Sequence, residues 1–481
     1  MTAAPIQLAM HPDRLFSSDS NVVRVAKELY DGIKDLPIVS PHGHTDPSWF
    51  GDNKNFNNAT DLLIKPDHYV FRMLYSQGIP LESLGIPQQG EQADPAAEHA
   101  VDPLDVWKIF AENYFLFAGT PSGYWLDSTF SKVFGFTERL CPANAEEYYH
   151  EINRQLTSPE FSTHALMDRF NIEVIATTEG ALDDLAEHKK LAGTPWAKRV
   201  ITTFRPDDVV DASREDFTQN IEKLGELTGC DVTSWHGYLE AIRQRRLYFK
   251  THGRATATDH GHPTALTADL PLDECQALYA KCVTGQASEQ EQELFRGQML
   301  TELAGMSIED GLVMQIHPGA YRNHNQKVFE VYGRDKGADI PSPTEYVSAL
   351  KPLLSKYGNN PDLKIILFTL DETTYSRELA PLAGHYPSLK LGPAWWFHDS
   401  PAGMLRFRQQ TTETAGFYNT VGFNDDTRAF LSIPARHDVA RRVDCRYLAE
   451  LVTNQQITLA DAKELAYQLT YGLVKKAYNF E

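Results

Sequence analysis

The chain has 481 residues, 42% of them hydrophobic and 23% charged, which is ordinary for a globular protein with a large core. Its formal net charge of −20 argues against a nucleic-acid partner, because a phosphate backbone demands a basic surface. We see no apolar run near the roughly 20 residues that span a bilayer, and no secretory signal at the start. The five cysteines are scattered without a CxxC pair. We therefore expect a cytoplasmic protein with no membrane partner.

Eight short apolar runs of strand character occur along the chain, mostly separated by segments with helical periodicity. They cover residues 36–40, 171–177, 199–204, 255–258, 312–316, 364–369, 389–396 and 420–423. Near-continuous apolar runs suit strands that are buried on both faces, as in a parallel sheet covered by helices. Eight such units predict an α/β fold, a (β/α)8 TIM-type barrel.

The spacing of these runs is uneven. Roughly 130 residues separate the first two, far more than a usual connection in such a barrel. We predict an N-terminal helical extension at 1–35 and a catalytic barrel at 36–481. The barrel is interrupted by a large helical insertion at 50–165, after the first strand, which covers the barrel mouth. Residues 208–253 and 265–310 are predicted to be further helical insertions.

The most informative motif is the end of the first run, where His42 and His44 are separated by one glycine. Alternate residues of a strand point to the same side, so both rings can converge on one point. Neutral imidazole is a preferred ligand of divalent metals such as Zn²⁺. The pair by itself is equally consistent with two loop histidines that cap local backbone.

Other runs also end in residues that suit catalysis, and barrel enzymes place their active sites at these strand ends. The candidates are Arg205 and Asp207, Asp259 and His260, His317, Trp396, His398 and Asp399, and Asp425, Asp426 and Arg428.

Several of these residues have a structural interpretation. Asp259 and His260 are as consistent with a helix cap or a brace of the barrel as with catalysis. His398 and Asp399 are consistent with a pair that supports the site or with an exposed loop, and the exposed loop is favoured. Strand alternation sends only one of Asp425 and Asp426 inward.

As a set, six segments of the chain resemble the uronate isomerase (glucuronate isomerase) family, a divergent branch of the metal-dependent amidohydrolase superfamily. The resemblance extends from about residue 11 to the C-terminus. It is carried by the HxH motif, Pro66-Asp67-His68-Tyr69 with Arg72-Met73, Arg205-Pro206-Asp207, Met314-Gln315-Ile316-His317, Ala394-Trp395-Trp396-Phe397 and Asp426-Thr427-Arg428-Ala429-Phe430.

The resemblance implies a single divalent metal ion, expected to be Zn²⁺, and a role for each matched residue. It implies His42, His44 and Asp426 as metal ligands, Asp426 also as the base, Tyr69 as the acid, His68, Arg205 and Arg428 as ligands of the substrate carboxylate, Trp396 as a wall of the sugar site, and His317 as a metal ligand or a substrate contact.

The implied reaction interconverts aldose and ketose hexuronates, such as D-glucuronate with D-fructuronate and D-galacturonate with D-tagaturonate. A proton leaves C2 and one returns at C1 through an enediol, although a hydride shift between these carbons stays open. Arginine suits the hexuronate carboxylate because its planar fork binds carboxylates through two hydrogen bonds. Two arginines would also supply local positive charge for an anionic substrate in a protein whose net charge is negative.

Two other functions are alternatives to uronate isomerisation. A hydrolase of the same superfamily would use the metal to attack an amide, lactone or ester that bears a carboxylate. We see no strand-four lysine of the kind that bridges two metals in many of those enzymes. A sugar-acid-binding protein without activity should have lost ligands that are intact here. Large barrels often associate, so a homo-oligomer is the default expectation.

Overall fold

The structure, a computed structural model, describes residues 6–8, 10–89 and 101–480. These residues contain nine strands: β1 (Ile38–Ser40), β2 (Ile172–Gly180), β3 (Val200–Arg205), β4 (Ala257–His260), β5 (Val313–Ile316), β6 (Ala320–Tyr321), β7 (Ile340–Pro341), β8 (Ile365–Leu367) and β9 (Leu389–Leu391). Seven of them form one parallel sheet in the order β1-β2-β3-β4-β5-β8-β9, and β6 and β7 form a separate antiparallel hairpin. The large sheet follows the chain order of a (β/α)8 barrel.

The eighth barrel position is occupied by the segment at 420–427 rather than by a regular strand. Thr420 bridges Leu391 of β9, and the backbone N–H of His44 donates to the carbonyl of Thr427 over 3.0 Å. The segment therefore contacts both edges of the sheet and closes the ring. Our expectation of a regular strand at 420–423 differs from the structure because Gly422 adopts a left-handed φ of 79°, which interrupts the ladder.

Helices surround the sheet. The α-helices of the described chain are α1 (Ser20–Asp31), α2 (Pro47–Asp52), α3 (Ala59–Leu63), α4 (His68–Tyr75), α5 (Pro103–Glu112), α6 (Pro121–Ser128), α7 (Ala145–Leu156), α8 (Thr163–Arg169), α9 (Ala186–Leu191), α10 (Asp207–Val210), α11 (Phe217–Thr228), α12 (Trp235–His252), α13 (Leu272–Val283), α14 (Glu289–Asp310), α15 (Gln326–Tyr332), α16 (Lys351–Tyr357), α17 (Ala380–Ala383), α18 (Pro401–Ala415), α19 (Ile433–Thr453), α20 (Leu459–Tyr467) and α21 (Leu473–Ala477). None of these helices is long and apolar enough to cross a membrane.

Local sequence signals fix the ends of several helices. Ser288 and Glu291 form a reciprocal capping box at the start of α14, which ends at Gly311 with a left-handed φ of 76°. Asp67 caps α4 by accepting a hydrogen bond from the N–H of Tyr69. This cap matters for the site, because it sets the direction of the first turn of α4, which carries His68 and Tyr69.

The segment between β1 and β2 is helical and has its own core. Helices α2 to α8 bury an aromatic cluster that includes Trp107, Phe110, Phe117 and Phe130. Residues 90–100 of the predicted insertion lie outside the described residues, as do residues 1–5 and 9 of the predicted N-terminal extension. Within that extension, α1 packs its apolar face against α19 and α20.

Residues at the C-terminal end of the chain pack against the strands of the barrel. Tyr478 is fully buried and donates a hydrogen bond to Gln315 Oε1 of β5 over 2.8 Å. It packs in one cluster with Val39 of β1, Val313 of β5 and Ile366 of β8. The strands are thereby joined around a solid core, so the side chains at their carboxyl ends are held on a rigid base.

Candidate active site

Two histidines and one aspartate meet where β1 approaches the segment at 420–427. Nε2 of His44 lies 3.2 Å from Oδ1 of Asp426, and Nε2 of His42 lies 3.6 Å from the same oxygen. The Nδ1 of His42 lies 3.4 Å from the hydroxyl of Thr178 on β2, which leaves Nε2 facing Asp426. The structure therefore brings together the three residues for which the sequence predicted metal ligation.

The charge states of this cluster suit metal binding. Burial lowers the pKa of His42 to about 4, although Asp426 and Asp259 oppose the shift, so the ring is neutral at physiological pH. Burial works against ionisation of Asp426, yet His42 and His44 hold the pKa of its carboxyl well below the usual range. Neutral imidazole and ionised carboxylate are the forms that ligate divalent metals.

Asp259 of β4 is a fourth polar group of the cluster. Its Oδ1 lies 2.7 Å from Nδ1 of His317, and its Oδ2 lies 3.2 Å from Nη1 of Arg205 and 3.9 Å from Nε2 of His42. Burial opposes ionisation, but Arg205, His42 and His317 hold the pKa of Asp259 well below its usual range. The buried carboxylate of Asp259 therefore lies between the two histidines, His42 and His317, and Arg205.

His317 gives an independent indication that the site suits a metal. Its Nε2 is buried, has no hydrogen-bond partner within the described part of the chain, and lies 4.0 Å from Oδ2 of Asp426. His42, His317 and Asp426 offer ligand atoms that all lie within 4.8 Å of one another, and so do His42, His44 and Asp259. The donors fit a divalent metal, because an unsatisfied buried nitrogen needs a partner.

The position of Asp426 depends on local backbone conformation. Asp426 has a left-handed φ of 41°, uncommon for a residue other than glycine, and its N–H donates to Asn424 Oδ1 over 3.3 Å. Asp425 points away from the cluster and lies 3.0 Å from Nε2 of His437 on α19, while its carbonyl accepts from Arg436. Asp426 and Asp425 therefore point in opposite directions, and Asp426 faces the cluster.

Three arginines lie beside the cluster, each paired with a different aspartate. Arg205 Nε lies 2.8 Å from Asp207 Oδ2, and Arg322 Nη1 lies 2.7 Å from Asp339 Oδ2. Arg428 Nη2 lies 3.3 Å from Asp335 Oδ2.

The guanidinium groups of two of these arginines meet at Gly261. A Cβ atom at Gly261 would lie 2.3 Å from Nη2 of Arg205 and 3.0 Å from Nη2 of Arg322. Glycine at this position therefore makes room for both cationic groups. The result is a cavity wall with three arginines in an acidic protein, a local source of positive charge that an anion could contact.

Aromatic rings form the opposite wall. The ring of His68 stacks on Trp396 with centroids 4.7 Å apart, and Trp396 has a left-handed φ of 52°. Tyr69 lies behind this stack, 5.8 Å from the Trp396 ring, and burial raises the pKa of its phenol. Arg436 covers Tyr69 on the side towards α19. Backbone strain at Trp396, as at Asp426, is typical of functional positions.

One cavity contains most of the predicted site. Its walls are formed by His42, His44, His68, Arg205, Asp259, His317, Arg322, Asp335, Trp395, Trp396, Asp426 and Arg428. The structure describes all of the predicted site residues, and among them Tyr69 alone does not line this cavity. From the sequence, Asp259 has two open interpretations, Arg322 is one of the polar residues that follow the fifth run but has no assigned role, and Asp335 is not a candidate.

The expectation that Asp399 lies in an exposed loop is wrong. Its side chain is buried and accepts a hydrogen bond from Arg436, whose guanidinium lies 3.5 Å above the Trp125 ring. The sequence signal was misleading because α19 brings Arg436 from a distant part of the chain to neutralise the carboxylate. His398, by contrast, is only partly buried.

The fold and the site together define a class of protein: a (β/α)8-barrel enzyme with a histidine–carboxylate cluster that suits a divalent metal, in a cavity that three arginines also line. The sequence model of the glucuronate isomerase family matches residues 16–478. The chain belongs to the glucuronate isomerase family.

Individual relatives agree over the whole chain. A uronate isomerase of Rhizorhabdus wittichii is 60% identical over 478 residues, which are 99% of this chain and 100% of that protein. The crystal structure of a glucuronate isomerase from Caulobacter crescentus has a TM-score of 0.95 at 58% identity, covering 99% of this chain and 98% of that one. A uronate isomerase from Thermotoga maritima has a TM-score of 0.89 at 26% identity, covering 98% and 99%.

Proposed function

We propose that this protein is a uronate isomerase that interconverts aldose and ketose hexuronates, D-glucuronate with D-fructuronate and D-galacturonate with D-tagaturonate, in uronate catabolism. The observation that carries the proposal is one cavity in which the His42–His44–Asp426 cluster lies beside Arg428. One part of the cavity suits the reacting carbons and the other suits a carboxylate. Family membership along the whole chain supports the same reaction.

The residues that would hold the metal are His42, His44 and Asp426, with His317 beside them. We propose Zn²⁺, which favours nitrogen and oxygen ligands of this kind. When bound, the metal would supply Lewis acidity to a substrate oxygen.

Asp426 is proposed as the group that moves the proton. Isomerisation takes a proton from C2 and delivers one to C1, while the carbonyl moves from C1 to C2 through an enediol. The low pKa of Asp426 keeps its carboxylate ionised at physiological pH, as a proton acceptor must be, although it weakens the driving force for proton removal. A single carboxylate next to both carbons can serve both transfers.

Tyr69 is proposed as the acid that donates a proton towards the substrate carbonyl oxygen. Its raised pKa keeps the phenol protonated over the whole physiological range. Tyr69 is buried and does not line the cavity of the cluster, so this role requires its hydroxyl to gain access to that cavity when substrate binds. The acid role therefore depends on a movement that substrate binding must supply.

The substrate carboxylate is proposed to bind between His68, Arg205 and Arg428, with Trp396 against the sugar. Arg205 is already held by the buried Asp259 and by Asp207. Arg428 has only the half-exposed Asp335 as a carboxylate partner within the described ranges, so it is the main anchor. A planar guanidinium can bind the carboxylate through two hydrogen bonds.

We also propose that the protein works in the cytoplasm. Its five free cysteines, three of them buried, suit a reducing compartment. This location would be tested by fractionating cells of the source organism and probing each fraction with a specific antibody.

The proposed activity is tested with purified protein, D-glucuronate and a ketose-specific assay. Protein loaded with Zn²⁺ should form the ketose, chelated protein should not, and Zn²⁺ should restore turnover in proportion to the measured metal content. Failure of metal-loaded, folded protein to convert either D-glucuronate or D-galacturonate would contradict the proposal.

A further inference from the structure

Asp335 lies at a junction between the active-site cavity and the solvent. The cavity that contains the histidine–aspartate cluster adjoins two wider, more open cavities. One of them is lined by Lys65 and Phe329, and the other by Asp207 and Arg214. Asp335 and Arg428 line all three. The Asp335–Arg428 ion pair therefore lies where the three cavities meet.

The loop that carries Asp335 is fixed at its far end and strained in the middle. Asp339 accepts hydrogen bonds from Arg322 Nη1 over 2.7 Å and from the N–H of Asn323 over 2.8 Å. Gly333, Asp335 and Gly337 all have left-handed φ angles, of 81°, 61° and 72°. A Cβ atom at Gly337 would lie 3.1 Å from the carbonyl oxygen of His68, so the loop also touches α4.

The Asp335–Arg428 pair differs from its neighbours in exposure. The side chains of Asp259 and Asp339, which hold Arg205 and Arg322, are 2% and 6% exposed, whereas the side chain of Asp335 is 52% exposed. Ion pairs that are open to solvent stabilise a structure little, so another anion can replace this one.

The charge on Asp335 is secured by its surroundings. Partial desolvation by the cavity walls opposes ionisation, but Arg428, Arg205 and Arg322 hold the pKa of Asp335 well below its usual range. The group beside Arg428 is thus a carboxylate, the same chemical group that the proposed substrate presents.

We infer that Asp335 occupies, in the free protein, the place beside Arg428 that the substrate carboxylate takes, and so acts as an internal competitor that sets specificity. The inference rests on the proposed function. A hexuronate exchanges one carboxylate for another, and Arg428 keeps an ion pair throughout. A neutral sugar has no group for this exchange, so it would leave Asp335 in place. The competition lowers the apparent affinity for every ligand that must displace Asp335.

The test is the KM for D-glucuronate of Asp335→Asn, with zinc-loaded protein. Asparagine has nearly the same size and tolerates a left-handed φ, so the variant should fold. Removal of the competing charge should lower KM by about tenfold and leave kcat within about twofold of the wild type. If Asp335 instead binds substrate hydroxyl groups, KM rises, and that result would overturn the inference.

Asp216→Asn is the matched control. Asp216 also lines one of the outer cavities, its side chain is 46% exposed, and it pairs with Arg214 rather than Arg428. KM of this variant should stay at the wild-type value. An equal fall in KM in both variants would show a general effect of net charge and overturn the inference. Failure of the wild type to turn over D-glucuronate would contradict the proposed function but not this inference. The dissociation constants of the wild type and both variants for D-glucuronate, measured by calorimetry, would then replace KM in the comparison.

Discussion

Nδ1 of His317 lies 2.7 Å from Oδ1 of Asp259, and this contact fixes the orientation of the His317 ring. With the Nδ1 proton donated to the carboxylate, Nε2 carries the lone pair and faces Asp426 at 4.0 Å. Metal-binding histidines commonly donate their second nitrogen to a carboxylate in this way. Asp259 therefore orients the ring and supplies negative charge to the cluster.

Asp259→Asn should weaken metal binding. Asparagine can still accept from His317, but the loss of charge should lower metal affinity by about 10- to 100-fold. Competition with a chromophoric chelator measures this directly. Asp207→Asn is the control, because Asp207 pairs with Arg205 without contacting the histidines. Equal metal affinity in Asp259→Asn and the wild type would contradict the role assigned to Asp259.

Arg428→Met should act on substrate binding. Loss of the proposed carboxylate anchor should raise KM for D-glucuronate at least about tenfold, since a charge-assisted bidentate contact disappears. Steady-state kinetics checks this, with Arg243→Met as the control. Arg243 is 37% exposed against 36% for Arg428 and pairs with Glu309 away from the cavity. An unchanged KM in Arg428→Met would place the carboxylate elsewhere.

Tyr69→Phe tests whether Tyr69 acts as the proton donor or only packs against the aromatic wall of the site. As the proton donor, Tyr69 should contribute about 10²- to 10⁴-fold to kcat, with little effect on KM. Tyr447→Phe, at a similarly buried tyrosine of α19, should leave kcat unchanged. Since Tyr69 lies behind the aromatic stack, a fall in kcat of less than about tenfold would assign it to packing against Trp396 and Trp125.

The sequence predicts the parts of the site that depend on local geometry. The spacing of His42 and His44 predicts that both rings converge on one point, and strand alternation predicts that only one of Asp425 and Asp426 faces inward. The structure has His42 and His44 just beyond β1, and the choice of Asp426 comes from the family resemblance. The barrel follows from the succession of apolar runs, because parallel strands buried on both faces read as continuous hydrophobic segments. The irregular eighth position depends on the conformation of Gly422, which composition does not reveal.

The remaining contacts join residues that are far apart in sequence. Asp259 meets His317 because β4 and β5 pair in parallel register. Asp399 is buried because α19 supplies Arg436. Asp335 reaches the arginine pocket on a loop with three left-handed residues, and no periodic pattern marks such a loop.

The raised pKa of Glu179 predicts that the free energy of unfolding depends on pH. Burial raises the pKa of Glu179, at the end of β2, from 4.5 to about 7. Because the folded-state pKa is the higher one, its contribution is complete below pH 4.5 and is lost as pH rises towards 7. The wild type should therefore lose about 2–3 kcal/mol more than Glu179→Gln between pH 5 and pH 8.

Urea unfolding of both proteins at the two pH values measures this difference. Comparison with the glutamine variant cancels the titration of all other groups. Parallel changes in the free energy of unfolding of the two proteins would show that Glu179 keeps an ordinary pKa in the folded state.

The central claim is that Asp426 moves a proton between two carbons of a hexuronate. The most direct test is ¹H NMR of zinc-loaded protein with D-glucuronate in D₂O, for the wild type and for Asp426→Asn with its fold checked by circular dichroism. We predict that the wild type forms the ketose and that the variant forms none. Deuterium at C1 of the product would further favour proton transfer over a hydride shift. Near-normal turnover by Asp426→Asn would contradict the claim.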